Sequence, residues 1–350
     1  MSIAAPVLYP NANPRRILIT GGAGFIGSHL AEALLDRGHS VVVIDDLSTG
    51  KFENIAHLCQ HPRFRFTMDS IMNEMVLDRL VSECDVIFHL AAAVGVKLIV
   101  DQPVRTIETN VNGTIAVLRA AVRYRAKVLI ASTSEVYGKG NRVPFSEEDE
   151  LVLGPTSRSR WSYAASKIIA EFLALAYHRE KGLPVVVMRL FNTIGPRQSG
   201  EYGMVVPRFI RQALAGEPIT VYGNGNQTRC FLHVKDAIGA MIALADSSEA
   251  LGNVYNIGSQ EEISIKGLAE LILSVIDELR EQGRLAPPST KQEQRIIFIP
   301  YDQAYALGFE DLMRRVPDIT RIQKTIGWSP QTCLRDTILD IVTQEFLSQR

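Results

Sequence analysis

The sequence predicts a doubly wound α/β protein, a parallel sheet covered on both faces by helices, followed by a smaller C-terminal lobe. Three observations carry this reading. Short, continuously apolar, β-rich runs recur through the first 195 residues, and stretches of helical period separate them. A glycine-rich turn joins the first run to the first helix, as strand-turn-helix units of parallel sheets require. After about residue 195 the rhythm changes, with more Pro and Gly and then amphipathic helices.

The elements follow in order. "RRILIT" (15–20) is the first strand, "GGAGFIG" (21–27) the turn, and "SHLAEALLDRG" (28–38) the first helix. "SVVVIDD" (40–46), "CDVIFHLAA" (84–92), "AKVLIASTS" (126–134) and "LPVVVMRLFN" (183–192) are further buried strands. Between the later ones lie the helices "TIETNVNGTIAVLRAAVRY" (106–124) and "SYAASKIIAEFLALAYHREKG" (162–182). Beyond "GPRQSGEYG" and "GEPITVYGNGNQ", the stretches "GLAELILSVIDELREQG" (267–283) and "CLRDTILDIVTQEFLSQ" (333–349) read as helices of the lobe. "REQGRLAPPSTKQEQR" (280–295) is expected to be an exposed connection. The chain thus divides into an N-terminal arm (1–14), a dinucleotide-binding domain (15–195) and a lobe (196–350).

Composition removes several functions. The 37 basic and 38 acidic residues leave a formal charge of −1, which argues against a nucleic-acid surface or a polybasic membrane anchor. No apolar run reaches the ~20 residues needed to span a bilayer, and the first 16 residues lack the form of a secretory signal. Cys59, Cys84, Cys230 and Cys333 show no CxxC or zinc spacing, so reduced thiols in a cytoplasmic protein without a metal site are expected.

Gly21, Gly24 and Gly27 have the spacing that lets backbone approach a pyrophosphate at a helix N-terminus. Asp45 ends the second strand 18 residues after Gly27. A carboxylate there accepts ribose hydroxyls and repels a 2′-phosphate, which selects NAD over NADP. "YAASK" sets Tyr163 and Lys167 four apart on one helix face, where a lysine ammonium is expected to lower the phenol's pKa and make it a base. "ASTSEVYGKG" (131–140) ends a buried strand in more side-chain oxygens than a turn needs.

Taken together, "GGAGFIG", Asp45, "HLAA" (89–92), Asn110 and "YAASK" resemble the extended short-chain dehydrogenase/reductase family over roughly residues 15–345. The most similar branch is that of the nucleotide-sugar epimerases, dehydratases and decarboxylases. The resemblance implies a Rossmann domain holding NAD through Gly21, Gly24, Phe25, Ile26, Gly27, Asp45, Asp46, Ser48, Thr49, Gly50, Asp69, Ser70, Leu90, Ala91, Ala92 and Asn110, with Tyr163 and Lys167. It implies that Thr133 and Tyr163 hold the sugar's 4-hydroxyl, that Tyr163 removes its proton, and that Ser134 and Glu135 serve the following step. The trio Thr-Ser-Glu resembles UDP-glucuronate decarboxylases and also GDP-mannose 4,6-dehydratases.

"RLFNTIGPRQ" (189–198), "MVVPRFIRQALAGEPITVYGNGNQTRCF" (204–231) and "RRVPDITRIQKTIGW" (314–328) are similar to the decarboxylase versions of these segments. They imply a UDP-sugar site with Asn192, Arg197 and Val206, arginines Arg229 and Arg315 on phosphate, and Tyr222 against the base. Decarboxylases usually read Tyr-Asp-Glu-Gly-Lys at "YAASK", and "AAAVGVK" (91–97) is closer to an epimerase. UDP-glucuronate decarboxylation to UDP-xylose therefore leads, with 4-epimerisation second and 4,6-dehydration third. A non-catalytic NAD-binding scaffold would be marked by loss of Tyr163 or Lys167, and both are intact. Relatives pair through the helices near 105–122 and 162–182, implying a homodimer with Ile168, Phe172 and Leu173 as contact candidates.

Overall fold

In a computed structural model of the protein, residues 14–348 are described except 96–98, 100, 141, 201–203, 287–293, 301–302 and 304–312. Nearly all of the N-terminal arm and much of the connection at 280–295 lie outside the described residues.

The chain runs β1 (Arg16–Thr20), α1 (Phe25–Asp36), β2 (Ser40–Asp45), β3 (Phe64–Met68), α2 (Glu74–Ser82), β4 (Val86–His89), α3 (Pro103–Tyr124), β5 (Lys127–Thr133), α4 (Trp161–Lys181) and β6 (Val185–Leu190). It continues through β7 (Thr193–Ile194), α5 (Val205–Ala215), β8 (Ile219–Tyr222), β9 (Thr228–Cys230), β10 (Leu232–His233), α6 (Val234–Asp246) and β11 (Val254–Ile257). The last elements are β12 (Glu262–Ser264), α7 (Ile265–Glu281), β13 (Ile296–Ile299), α8 (Thr320–Ile326) and α9 (Leu334–Ser348).

Seven strands form one sheet in the order β11-β6-β5-β4-β1-β2-β3, and every pair is parallel. The strands read as unbroken apolar runs because both faces are buried. Ile17, Ile19, Val41 and Val43 point to one core with Leu30 and Leu34 of α1 and Met241 of α6. The alternate residues Leu18, Val42, Ile44 and Ile87 point to a second core with Leu77 of α2, Val117 of α3 and Ala174 of α4. The order reverses between β1 and β4, whose registered ends Thr20 and His89 open a crevice. Open α/β sheets bind ligands at such a reversal.

The lobe has its own core, built from Phe209 of α5, Val221 of β8, Leu268 and Ile272 of α7 and Ile338 of α9. Elements after residue 195 also complete the central sheet and its first core. β11 adds to the central sheet beside β6, and α6 and Ile322 of α8 pack in the first core. The physical reason is coverage: β6 needs a neighbour on its open edge, and the β1 face needs α6 beside α1. Among the described residues no helix is long and apolar enough to cross a membrane.

Candidate active site

A cleft of about 590 Å³ lies over the C-terminal ends of β1, β2, β4, β5 and β6, between the sheet and the lobe. Its sheet side is built by the glycine turn. Gly21 has φ +74°, and a Cβ there would stand 2.7 Å from the Ala91 nitrogen. A Cβ on Gly27 would stand 2.4 Å from the Gly21 carbonyl oxygen. Only glycine lets β1, the turn and α1 close up this far. Helix α1 begins without a side-chain cap, and its first turn lines the cleft, where an anion is favoured.

Asp45 stands at the end of β2, buried, and accepts hydrogen bonds from the backbone N–H groups of Ala23 (2.9 Å) and Leu47 (2.9 Å). Burial pushes its carboxyl up, and these two N–H groups partly offset the shift. A Cβ at Gly50 would stand 3.0 Å from both Asp45 oxygens, so the carboxylate is fenced from behind. Asp46, Ser48, Thr49, Asp69, Ser70, Phe25, Ile26, Leu90, Ala91 and Ala92 line the same half of the cleft. A cradle that a Cβ would fill, with a fixed carboxylate one strand away, fits a dinucleotide carrying a free ribose 2′-hydroxyl. Gly50 and Asn110 do not line the cleft; both act from behind it.

The hydroxyl-rich stretch falls at the end of β5. Thr133 caps a short 3-10 turn (Ser134–Tyr137) by accepting from the Glu135 N–H at 3.2 Å, and it also hydrogen bonds Tyr163. Tyr163 and Lys167 lie on α4, and both line the cleft. Lys167 Nζ donates to the Ala131 carbonyl at 2.9 Å, and burial lowers its pKa to about 8 against the opposing charge of Glu171. The expected lowering of the phenol's pKa by Lys167 does not emerge. Burial raises Tyr163, the charge of Glu135 raises it further, and only the Thr133 hydrogen bond works the other way. The lysine charge is itself desolvated and directed at a backbone carbonyl, which limits its reach.

Behind these residues runs a buried chain of hydrogen bonds. Thr114 Oγ1 donates to the Asn110 carbonyl (2.7 Å), so it accepts from His89 Nε2 (3.0 Å). The other ring nitrogen, Nδ1, then accepts from Thr20 Oγ1 (2.8 Å), which accepts in turn from the Ala91 N–H (3.2 Å). Asn110 accepts from the Ala93 N–H (2.8 Å) and donates to Ser166 Oγ (3.1 Å), whose hydroxyl reaches the Tyr163 carbonyl (2.7 Å). Asn110 thus braces the loop after β4 against the tyrosine helix. One layer over, Ser132 donates to Glu171 of α4, which also holds Arg189 of β6 at 2.8 Å.

The lobe side is cationic. Glu135 Oε1 accepts from Arg315 Nη1 at 2.8 Å, and its Oε2 lies 3.7 Å from Arg160 Nη2. Burial pushes the Glu135 carboxyl up, but Arg315, Arg160 and Arg229 outweigh it and hold the group below the usual range. Asn192 and Val206 line the cleft nearby. Tyr222 also lines it, with the Arg208 guanidinium 3.9 Å over its ring. Arg197 also lines the cleft but is drawn to α1, pairing with Glu32 at 2.7 Å. Sequence reasoning missed Arg160 and Arg208. Arg160 stands three residues before Tyr163 and Arg208 two after Val206, so each was adjacent to a chosen position.

Fold and site together define an NAD-dependent short-chain dehydrogenase/reductase that acts on nucleotide sugars. The comparisons with known proteins give the particular group. Residues 18–341 match the family described as GDP-mannose 4,6 dehydratase, and the chain belongs to that family. It is 43% identical over 329 residues to the UDP-N-acetyl-alpha-D-glucosaminuronate decarboxylase of Bacillus cytotoxicus, covering 93% of this chain and 97% of the relative. It is 38% identical to UDP-glucuronic acid decarboxylase 1 of Xenopus tropicalis, covering 92% and 70% respectively. Among solved structures it resembles the UDP-glucuronic acid 4-epimerase of Bacillus cereus in complex with UDP-glucuronic acid and NAD. That match has a TM-score of 0.80 and 29% identity, over 95% of this chain and 99% of the other.

Proposed function

We propose that the protein decarboxylates a UDP-linked hexuronic acid, either UDP-glucuronate, giving UDP-xylose, or its 2-acetamido counterpart. One observation carries this: Glu135, beside the Thr133–Tyr163 pair, is held as an anion among three arginines. A 4,6-dehydratase needs a carboxyl that can protonate a leaving hydroxyl at neutral pH, and a group so stabilised as carboxylate is a poor acid. Decarboxylation needs none for its leaving group. The likeness to the decarboxylases of Bacillus cytotoxicus and Xenopus tropicalis supports the same reading.

NAD, when bound, supplies the acceptor for the hydrogen that leaves carbon 4. Thr133 orients the 4-hydroxyl; Tyr163, whose phenol burial holds protonated, would take the 4-hydroxyl proton as the phenolate once the positive charge of bound NAD offsets that burial, while Lys167 donates to the Ala131 carbonyl. A ketone at carbon 4 stands β to the carboxylate on carbon 5. Carbon dioxide then leaves with the electron pair spread onto the carbonyl oxygen, where the Thr133 and Tyr163 hydroxyls donate. Arg229 and Arg315 offer charge to the diphosphate or the uronate, and Tyr222 with Arg208 offers a flat cationic surface to the base.

The 4-epimerase reading is second, supported by "AAAVGVK" and the likeness to the Bacillus cereus enzyme. The deciding experiment incubates the protein with UDP-glucuronate, UDP-N-acetylglucosaminuronate, UDP-glucose and GDP-mannose in turn and weighs the products. Loss of carbon dioxide from a uronate is expected. Loss of water, or an isomer of unchanged mass, overturns the proposal. We further infer a cytoplasmic homodimer; the four cysteines are free, and an exposed apolar strip on α3 and α4 provides the contact.

A further inference from the structure

Arg315 reaches the cleft from a segment outside the named strands and helices, residues 315–318, just ahead of α8. Phe145 sets the course of this segment by pairing with it on both sides of Pro317. The Phe145 N–H donates to the Val316 carbonyl, and the Phe145 carbonyl accepts from the Asp318 N–H, each at 2.8 Å. Asn256 of β11, fully buried, ties the two partners together. Its Nδ2 donates to the Phe145 carbonyl (2.9 Å) and to the Asp318 carbonyl (3.1 Å), and its backbone N–H donates to Glu147 Oε1 (2.9 Å).

The Asn256 amide has one orientation. Arg189 Nη1 donates to the Tyr137 hydroxyl at 3.0 Å, so that hydroxyl gives its own proton to Asn256 Oδ1 at 2.7 Å. Oδ1 is thereby taken, and the amide hydrogens face the two carbonyls. The Tyr137 ring stacks on Phe145, with 4.7 Å between centroids and 3° between planes. Arg189 is held in turn by Glu171 of α4, on the helix that carries Tyr163. A path through the buried Glu171, Arg189, Tyr137 and Asn256 thus runs from the tyrosine helix to the segment of Arg315, and none of these side chains lines the cleft.

We propose that Asn256 is a positioning residue that acts through Arg315: with Tyr137 holding its amide, it sets where the 315–318 segment delivers that guanidinium to the cleft. Because the path begins on α4, it also keeps Arg315 in register with Tyr163. This role holds for any nucleotide sugar that meets Arg315, uronate or not.

The position of Arg315 can be read without a ligand. Its Nη1 lies 2.8 Å from Glu135 Oε1. Burial pushes the Glu135 carboxyl up, and Arg315 is the first of the charges that bring it down, so the Glu135 titration midpoint reports where the guanidinium stands. Infrared difference spectra across pH follow that carboxyl, identified as the band that Glu135→Gln removes. Asn256→Ala should raise the midpoint by about one pH unit, as should Arg315→Ala. The double variant should rise no further than Arg315→Ala alone, because the first change acts through the second. An unchanged midpoint in Asn256→Ala overturns the proposal. So does a double variant whose rise equals the two single rises added, since Asn256 would then reach Glu135 by another route. NAD affinity should stay the same throughout; a parallel loss would mean that the fold at large has loosened, which overturns a role specific to Arg315. Where Asn256→Ala does not fold, Tyr137→Phe takes its place, for its ring stays on Phe145 and only the hydroxyl that fixes the amide is lost. A smaller rise, absent in the Arg315→Ala background, is then expected, and no rise refutes the proposal. Product mass decides the reaction separately, so either conclusion can fail without the other.

Discussion

His89 shows how much one buried side chain contributes to the site. Its two ring nitrogens serve opposite roles, one donating to Thr114 and one accepting from Thr20, which only the neutral imidazole can do. Burial, with the Lys167 charge, lowers its pKa from 6.5 to about 3. Unfolded protein takes up this proton near pH 6.5 and folded protein does not until about pH 3. The stabilisation is therefore complete above about pH 6.5 and is lost on acidification through that window, by about 1.4 kcal/mol per unit. Thermal melts from pH 7 to pH 4 should show a steeper acid decline for the wild type than for His89→Gln. Parallel curves would mean the imidazole protonates without unfolding. The histidine was visible in "HLAA", but its role was not, because its partners Thr20 and Thr114 come from two other elements.

At the scale of elements, α4 connects chemistry to stability. Tyr163, Lys167 and Glu171 recur every fourth residue, so one face of this helix carries the phenol, the ammonium and a buried carboxylate. Glu171 is 4% exposed and grips Arg189, also 4% exposed, along the Nε–Nη2 edge of its guanidinium. Glu171→Ala would leave that arginine charged and buried, a loss of about 3–5 kcal/mol. Urea unfolding should show it as a lower midpoint with an unchanged slope, and a change under 1 kcal/mol would mean that water reaches Arg189. The first half of this motif was legible because helix spacing is local. Its partners were not: Ser132 and Arg189 arrive on β5 and β6, and only sheet order makes them neighbours. Helix phase also distinguishes the three dimer-contact candidates. Ile168 packs beside Tyr137 and Leu173 enters the second core, while Phe172 remains exposed with Ile169 of the same helix and Val104 and Ile107 of α3.

For the whole molecule, that strip is the surface a second copy would cover. Val104 is 67% and Phe172 69% exposed, which is unusual for large apolar residues gathered on two adjacent helices. Phe172→Glu should convert a dimer to a monomer in sedimentation at micromolar concentration while leaving NAD binding intact. A wild type that sediments as a monomer would mean the strip is not used this way. The glycine turn, Asp45 and the tyrosine helix could be read from the sequence because each is a contiguous signal tied to one element. The cationic side of the cleft could not be read as a constellation. Arg160, Arg229 and Arg315 lie on three segments spanning 155 residues, and no local pattern pairs any of them with Glu135.

The return of β11 to the sheet has a consequence for how the protein can be made. Until residues 254–257 have left the ribosome, β6 presents "VVVMRL" with one row of backbone groups unpaired, an open seam for another nascent chain. Residues 315–322 come later still and bring both Arg315 and Ile322 to the first half of the protein. A fragment containing every residue of the glycine turn and of "YAASK", but stopping before 254, would therefore carry the recognisable signature of the enzyme in an aggregation-prone form.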